Sequence, residues 1–104
     1  MENKKTGLKK DVDWKNKKIV KFVKAFFVPK SEEEMKNFLR DILSKKEIEE
    51  FANRLEVARM LSEGLSYKEI EKKTGMSSTT IARISKWLNS GNGGYKNVLK
   101  NLKD

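Results

Sequence analysis

Cysteine and histidine are both absent from this chain. Without cysteine there is no disulfide, no thiolate nucleophile and no cysteine-based zinc site. Without histidine the commonest metal ligand and the commonest general base are gone as well. Asp, Glu, Lys, Ser and Tyr could still build a catalytic centre, but no paired-carboxylate constellation is found among them. The expectation is a protein that is not an enzyme, with no metal and no cofactor. No apolar run approaches the ~20 residues of a membrane-crossing helix. The basic N-terminus is not followed by the unbroken apolar stretch of a signal peptide, so a cytoplasmic address and no membrane partner are expected. There is one proline, and no alternating pattern of the kind that makes a strand.

What is present is charge. The 104 residues carry a net +9, with 38% charged and 37% hydrophobic residues. A chain of this size is one domain with a thin core, and dimerisation helps such a chain to stability. The positive balance favours an anionic partner, nucleic acid first and an acidic membrane second. The charge is also polarised. Residues 31 to 65 hold six basic against nine acidic residues, whereas 1 to 30 hold ten against three and 66 to 104 eight against three.

The most informative stretch is 65 to 88, LSYKEIEKKTGMSSTTIARISKWL. Ser66 and Glu69 have the spacing of a capping box, which starts a helix. Gly75 stands where that helix must end in a left-handed conformation, cheap only for glycine. Ser77 can cap a second helix, on which Ile81, Ile84 and Leu88 fall within a ~60° arc at about 100° per residue. Two helices joined by a glycine-bearing turn form a helix-turn-helix, here spanning 66 to 89. The other side of the second helix carries Ser78, Thr79, Ala82, Arg83, Lys86 and Asn89, and no acid occurs between Lys72 and Asp104. A face meant only for water usually mixes both signs. A face that enters a major groove must be narrow, hydrogen-bonding and cationic.

Upstream, residues 1 to 12 read as a disordered basic arm, either a solubilising tail or extra phosphate contact. Asp13 is placed to cap a helix running to Phe27 or Val28, with Ile19, Phe22, Val23, Phe26 and Phe27 as its apolar stripe and Pro29 as its stop. Ser31 and Glu34 form a second capping box, ahead of Met35, Phe38, Leu39, Ile42 and Leu43. Ser44 and Glu47 form a third. It opens a helix from about Lys45 to Glu63 with Ile48, Phe51, Ala52, Leu55, Ala58 and Leu61 on one face, widened by Val57 and Met60. A second apolar face calls for a second partner, in the same chain or another subunit. After Gly91, Asn92, Gly93 and Gly94, the residues Tyr95, Val98, Leu99 and Leu102 make a short last helix. The count is six helices, an all-α domain over 13 to 104.

The stretch RLEVARMLSEGLSYKEIEKKTGMSSTTIARISKWLNSGNGGY resembles the Trp-repressor superfamily, in its YerC/YecD-like branch. The resemblance rests on Asn53 to Arg59, on Ser77 to Ile84 and on Leu88 to Tyr95, and covers about Phe38 to Leu99. It implies a six-helix, intertwined homodimer with the N-terminal helices of each chain wrapped around the other. It also implies a transcriptional regulator, a repressor by family, whose helix-turn-helix reads double-stranded DNA.

On that reading Ser78, Thr79 and Ala82 approach base edges, Thr80 belongs to the same DNA-binding set, Arg83 and Lys86 reach phosphate or guanine, and Ser77 holds a phosphate at the helix start. Lys68 contacts the backbone from the first helix. The tryptophan-binding relative keeps its ligand between recognition helix and core. Ser44, Arg54 and Arg83 match polar positions of that site, but Ile84 replaces a glycine and Trp87 a small serine. Ile84 and Trp87 are therefore expected to fill the space of a free indole, so that DNA is read without tryptophan. Ordinary packing of Trp87 is the competing reading. Glu71 departs from the small residue usual at that point of a helix-turn-helix. Two other classes fit the composition: a non-specific nucleoid-type or RNA-binding protein, and a helical adaptor for a protein partner.

Overall fold

Serine and asparagine side chains start most of the helices in this computed structural model, which describes residues 11 to 103. The basic arm lies outside the described residues except for Asp11 and Val12. Six helices make up all the regular structure among the described residues: α1 Lys17–Ala25, α2 Glu32–Ile42, α3 Lys45–Ser62, α4 Tyr67–Thr74, α5 Ser78–Ser90 and α6 Gly94–Asn101. The chain clusters into two units, one reaching to Ile42 and one beginning at Leu43.

In the first unit, α1 starts later than the acid at 13 suggests. Asn16 is its cap, accepting from the backbone N–H groups of Lys18 and Ile19. Asp13 instead closes the preceding turn: its carbonyl accepts from the Asn16 N–H at 3.0 Å, and its carboxylate from the Lys15 N–H at 3.2 Å. Asn is as good a cap as Asp, and the turn decides between them. The helix ends at Ala25, where tight three-residue turns carry the chain through Val28 to Pro29. At α2, Ser31 accepts from the Glu34 N–H at 3.1 Å, as its spacing predicts. The Glu34 carboxylate reaches past Ser31 to the Lys30 N–H, at 2.9 Å. Phe22, Phe26 and Phe38 stack edge to face, with centroids 5.0 and 5.1 Å apart. Despite these contacts, no residue of α1 or α2 is buried, and Phe27 is 83% exposed.

The second unit holds the core. Val57, Ala58, Met60, Ile70, Ile81 and Ile84 cluster together, with Leu61, Leu65, Met76, Tyr95 and Leu99 packed around them. The helix α3 packs on α4, α5 and α6, and α5 packs on both α4 and α6. Only the C-terminal half of α3 takes part. The expected stripe is buried at Ala58, while Phe51 and Ala52 remain exposed and Ile48 and Leu55 half-buried. The residues expected only to widen that stripe, Val57 and Met60, join Ala58 in the core. No helix of the described residues is long and apolar enough to cross a membrane.

Candidate nucleic-acid interface

The capping box of α4 is complete. Glu69 N–H donates to the Ser66 hydroxyl at 3.1 Å, and the Ser66 N–H donates to the Glu69 carboxylate at 2.8 Å. That backbone hydrogen bond, with the serine hydroxyl's, holds the Glu69 carboxyl below its ordinary value. One turn on, Ile70 is fully buried. The helix stops at Gly75, whose φ of +75° is left-handed and whose N–H donates to the Glu71 carbonyl at 2.8 Å. Two residues later Ser77 caps α5, accepting from the Thr80 N–H at 3.3 Å. This is the helix-turn-helix that the serine, glycine and isoleucine spacings predict.

Burial then sorts the α5 side chains. Ile81, Ile84 and Leu88 face the core. Ser78, Thr79, Ala82, Arg83, Lys86 and Asn89 are exposed, and none is acidic. Of these, Asn89 is turned back along the helix, donating to the Ser85 carbonyl at 3.0 Å. Thr80 sits apart from the outward set: it is half-buried, with its hydroxyl 3.1 Å from that of Ser77. Lys68 is exposed on α4, as are Lys72 and Lys73. On α3, by contrast, Arg59 is clamped between Glu56 and Glu63, 2.6 Å from the latter. The bond from Arg59 pulls the Glu56 carboxyl down, and the two carboxylates push the guanidinium up. That cation is spent within its own helix.

Beside α5 lies an open cleft of about 390 Å³. Glu50, Asn53 and Arg54 line it from α3, and Thr80, Arg83, Ile84 and Trp87 from α5, with Met76 and Tyr95. Four of the five residues expected at a ligand pocket, Arg54, Arg83, Ile84 and Trp87, therefore come together. The fifth, Ser44, is the cap of α3 and does not line the cleft. Ile84 is buried beneath it, while Trp87 stands 59% exposed at its wall, so the two residues expected to fill this space line it and leave it open. The Arg54 guanidinium lies over the Phe51 ring, 5.6 Å from its centre. Sequence reasoning missed Glu50 and Asn53, although their spacing of four and one from Arg54 puts all three near one helix face. Met76 and Tyr95 had no local signal; only the packing of α5 and α6 brings them there.

Comparison with known proteins agrees with this geometry. A sequence model of the Trp repressor protein family matches residues 17–103. An uncharacterized protein, YerC of Bacillus subtilis, is 46% identical over 72 residues, which is 69% of this chain and 69% of that one. The crystal structure of a TrpR-like protein from Eubacterium eligens superposes with a TM-score of 0.78 at 35% identity, covering 88% of this chain and 97% of that one.

Proposed function

Because this chain belongs to the Trp repressor protein family, in its YerC-like branch, we propose that it is a sequence-specific DNA-binding transcriptional regulator that works as a homodimer. The observation that carries this reading is the α5 surface: small, hydroxylated and basic side chains exposed on one side, with Ile81, Ile84 and Leu88 buried on the other. Thr79 and Ala82 approach base edges, directly or through water, with Ser78 beside them. Arg83 and Lys86 reach phosphate or guanine. Lys68 contacts the backbone from α4. The free backbone N–H groups at the start of α5, beside Ser77, hold a phosphate.

What one chain leaves uncovered supports the dimer. No residue of α1 or α2 is fully buried in its own chain's packing. Phe22, Val23, Ile42 and Phe51 are each more than a third exposed. Patches of this kind on a small domain belong to an interface. The charges oppose the pairing little: α1 carries Lys17, Lys18, Lys21 and Lys24, while the first half of α3 carries Glu47, Glu49 and Glu50 against Lys45 and Lys46, with Glu49 already paired to Lys45 at 2.7 Å. A second copy can lay its apolar α1 face against the exposed Phe51 face of α3. Two recognition helices related by a two-fold axis then sit ~34 Å apart and read a near-palindrome. Reading without tryptophan rests on Ile84 alone, whose buried side chain takes up the floor of the cleft, while Trp87 stands at its wall and leaves it open.

Two substitutions test the assignment of roles. Thr79→Ala should relax sequence preference at a cost of ~1–3 kcal/mol. Lys68→Ala should weaken binding to all duplexes alike and reduce the salt slope by roughly one. Equal loss of specificity in both would sink the assignment.

A further inference from the structure

The structure assigns to Thr74 the positioning of the recognition helix, an inference that rests on the DNA-reading role of α5. Thr74 is the last residue of α4 and is half-buried. Its hydroxyl donates to the Ile70 carbonyl at 2.7 Å and accepts from the Met76 N–H at 3.1 Å. One side chain thus bonds on both sides of Gly75, the residue at which the chain changes direction. Glycine alone would leave that direction loose, because it has more backbone freedom than any other residue.

Each bond has a consequence. The first ties the hydroxyl to α4 through the carbonyl of Ile70, a residue with no exposed surface. The second fixes the N–H of Met76, which packs on the core and immediately precedes the α5 cap. With Met76 held, Ser77 begins α5 at one angle to α4. Thr79, Ala82 and Arg83 then present to a groove without an ordering cost at the moment of binding. Ser/Thr bonds to the carbonyl four residues back usually bend or loosen a helix. Here the same bond sits at the helix end, where it sets the exit of the chain.

The test compares Thr74→Val, which keeps the shape and loses the hydroxyl, with Thr74→Ser, which keeps the hydroxyl. Both are made in the full chain. Amide hydrogen exchange is read at Met76 without DNA, with Val57 and Ile81 as reporters of an intact core. Affinity is then read for a duplex selected by the wild-type protein and for random duplex. In Thr74→Val the Met76 amide should exchange about tenfold faster while the core reporters hold. The ratio of selected to random affinity should fall by about tenfold, equivalent to about 1.4 kcal/mol. Thr74→Ser should stay within about twofold of wild type on both readings, the remainder being a lost methyl contact. Wild-type exchange at Met76 in Thr74→Val, equal loss in Thr74→Ser, or faster exchange with an unchanged affinity ratio would each overturn the inference. A wild-type protein that selects no duplex would instead overturn the regulator reading, and the turn lock is then judged on the exchange rates alone.

Discussion

Replacing Gly75 by alanine should destabilise the protein by about 1 kcal/mol although the added methyl group would touch nothing. No atom outside the local chain lies within 4 Å of a Cβ built there, so no steric cost arises. The cost is conformational. At φ +75° a residue with a Cβ pays ~1–2 kcal/mol. Alanine also narrows the unfolded ensemble, which returns roughly 0.4–1 kcal/mol. Asparagine tolerates this region better, so Gly75→Asn should lie between the two. The assay is thermal and urea unfolding followed by circular dichroism, at matched protein concentration because the stability of the proposed dimer would depend on it. A shift of about 4–8 °C per kcal/mol is expected for a domain of this size.

Gly91 supplies the opposite case. Its φ of −88° is not left-handed. A Cβ there would stand 2.4 Å from the Trp87 carbonyl oxygen and 2.8 Å from the indole Cε3. The indole can move but the carbonyl cannot, so Gly91→Ala should cost about 1–3 kcal/mol by overpacking. It should also change the fluorescence of Trp87, read in a Trp14→Phe background. If Gly75→Ala were neutral while Gly75→Asn destabilised, or if Gly91→Ala left both stability and fluorescence unchanged, the reasoning from backbone conformation and close approach would be refuted.

Two further outcomes follow from the site. Glu69 has a depressed carboxyl, so its contribution to stability is complete above the ordinary value of 4.5 and is lost as pH falls through the lower folded value. The stability gap between wild type and Glu69→Ala, measured by thermal unfolding, should therefore be widest near neutrality and shrink in acid; a gap that widened in acid would contradict the capping-box account. Isothermal calorimetry with L-tryptophan should give no saturable heat in the micromolar range, because the Ile84 side chain takes up the floor of the cleft; micromolar binding would remove the idea that the chain reads DNA without that ligand.

The helix-turn-helix was legible because its signals are local. A serine three residues before a glutamate, a glycine at the reversal and isoleucines at helical spacing each act within one or two turns. The structure shows all three in place at Ser66, Gly75 and Ile81. The start of α1 was misread at Asp13 because a turn and a cap both attract short polar residues. The apolar face of α3 was legible as a face but not in its division. Periodicity shows that Phe51 and Ala58 can both be dry, and cannot show that a single chain covers only Ala58. The cleft was half legible: Arg54, Arg83, Ile84 and Trp87 were found, while Met76 and Tyr95 join them only through tertiary packing.

The central claim, that α5 reads a base sequence, is tested most directly by selecting from random duplex DNA with the purified full chain at near-physiological salt, with and without amino acids present. Enrichment of a near-palindrome with half-sites about one helical turn apart is expected. That enrichment should be independent of tryptophan and lost in Thr79→Ala more than in Lys68→Ala. Binding that is steeply salt-dependent but enriches no sequence would contradict it and mark a non-specific nucleic-acid binder.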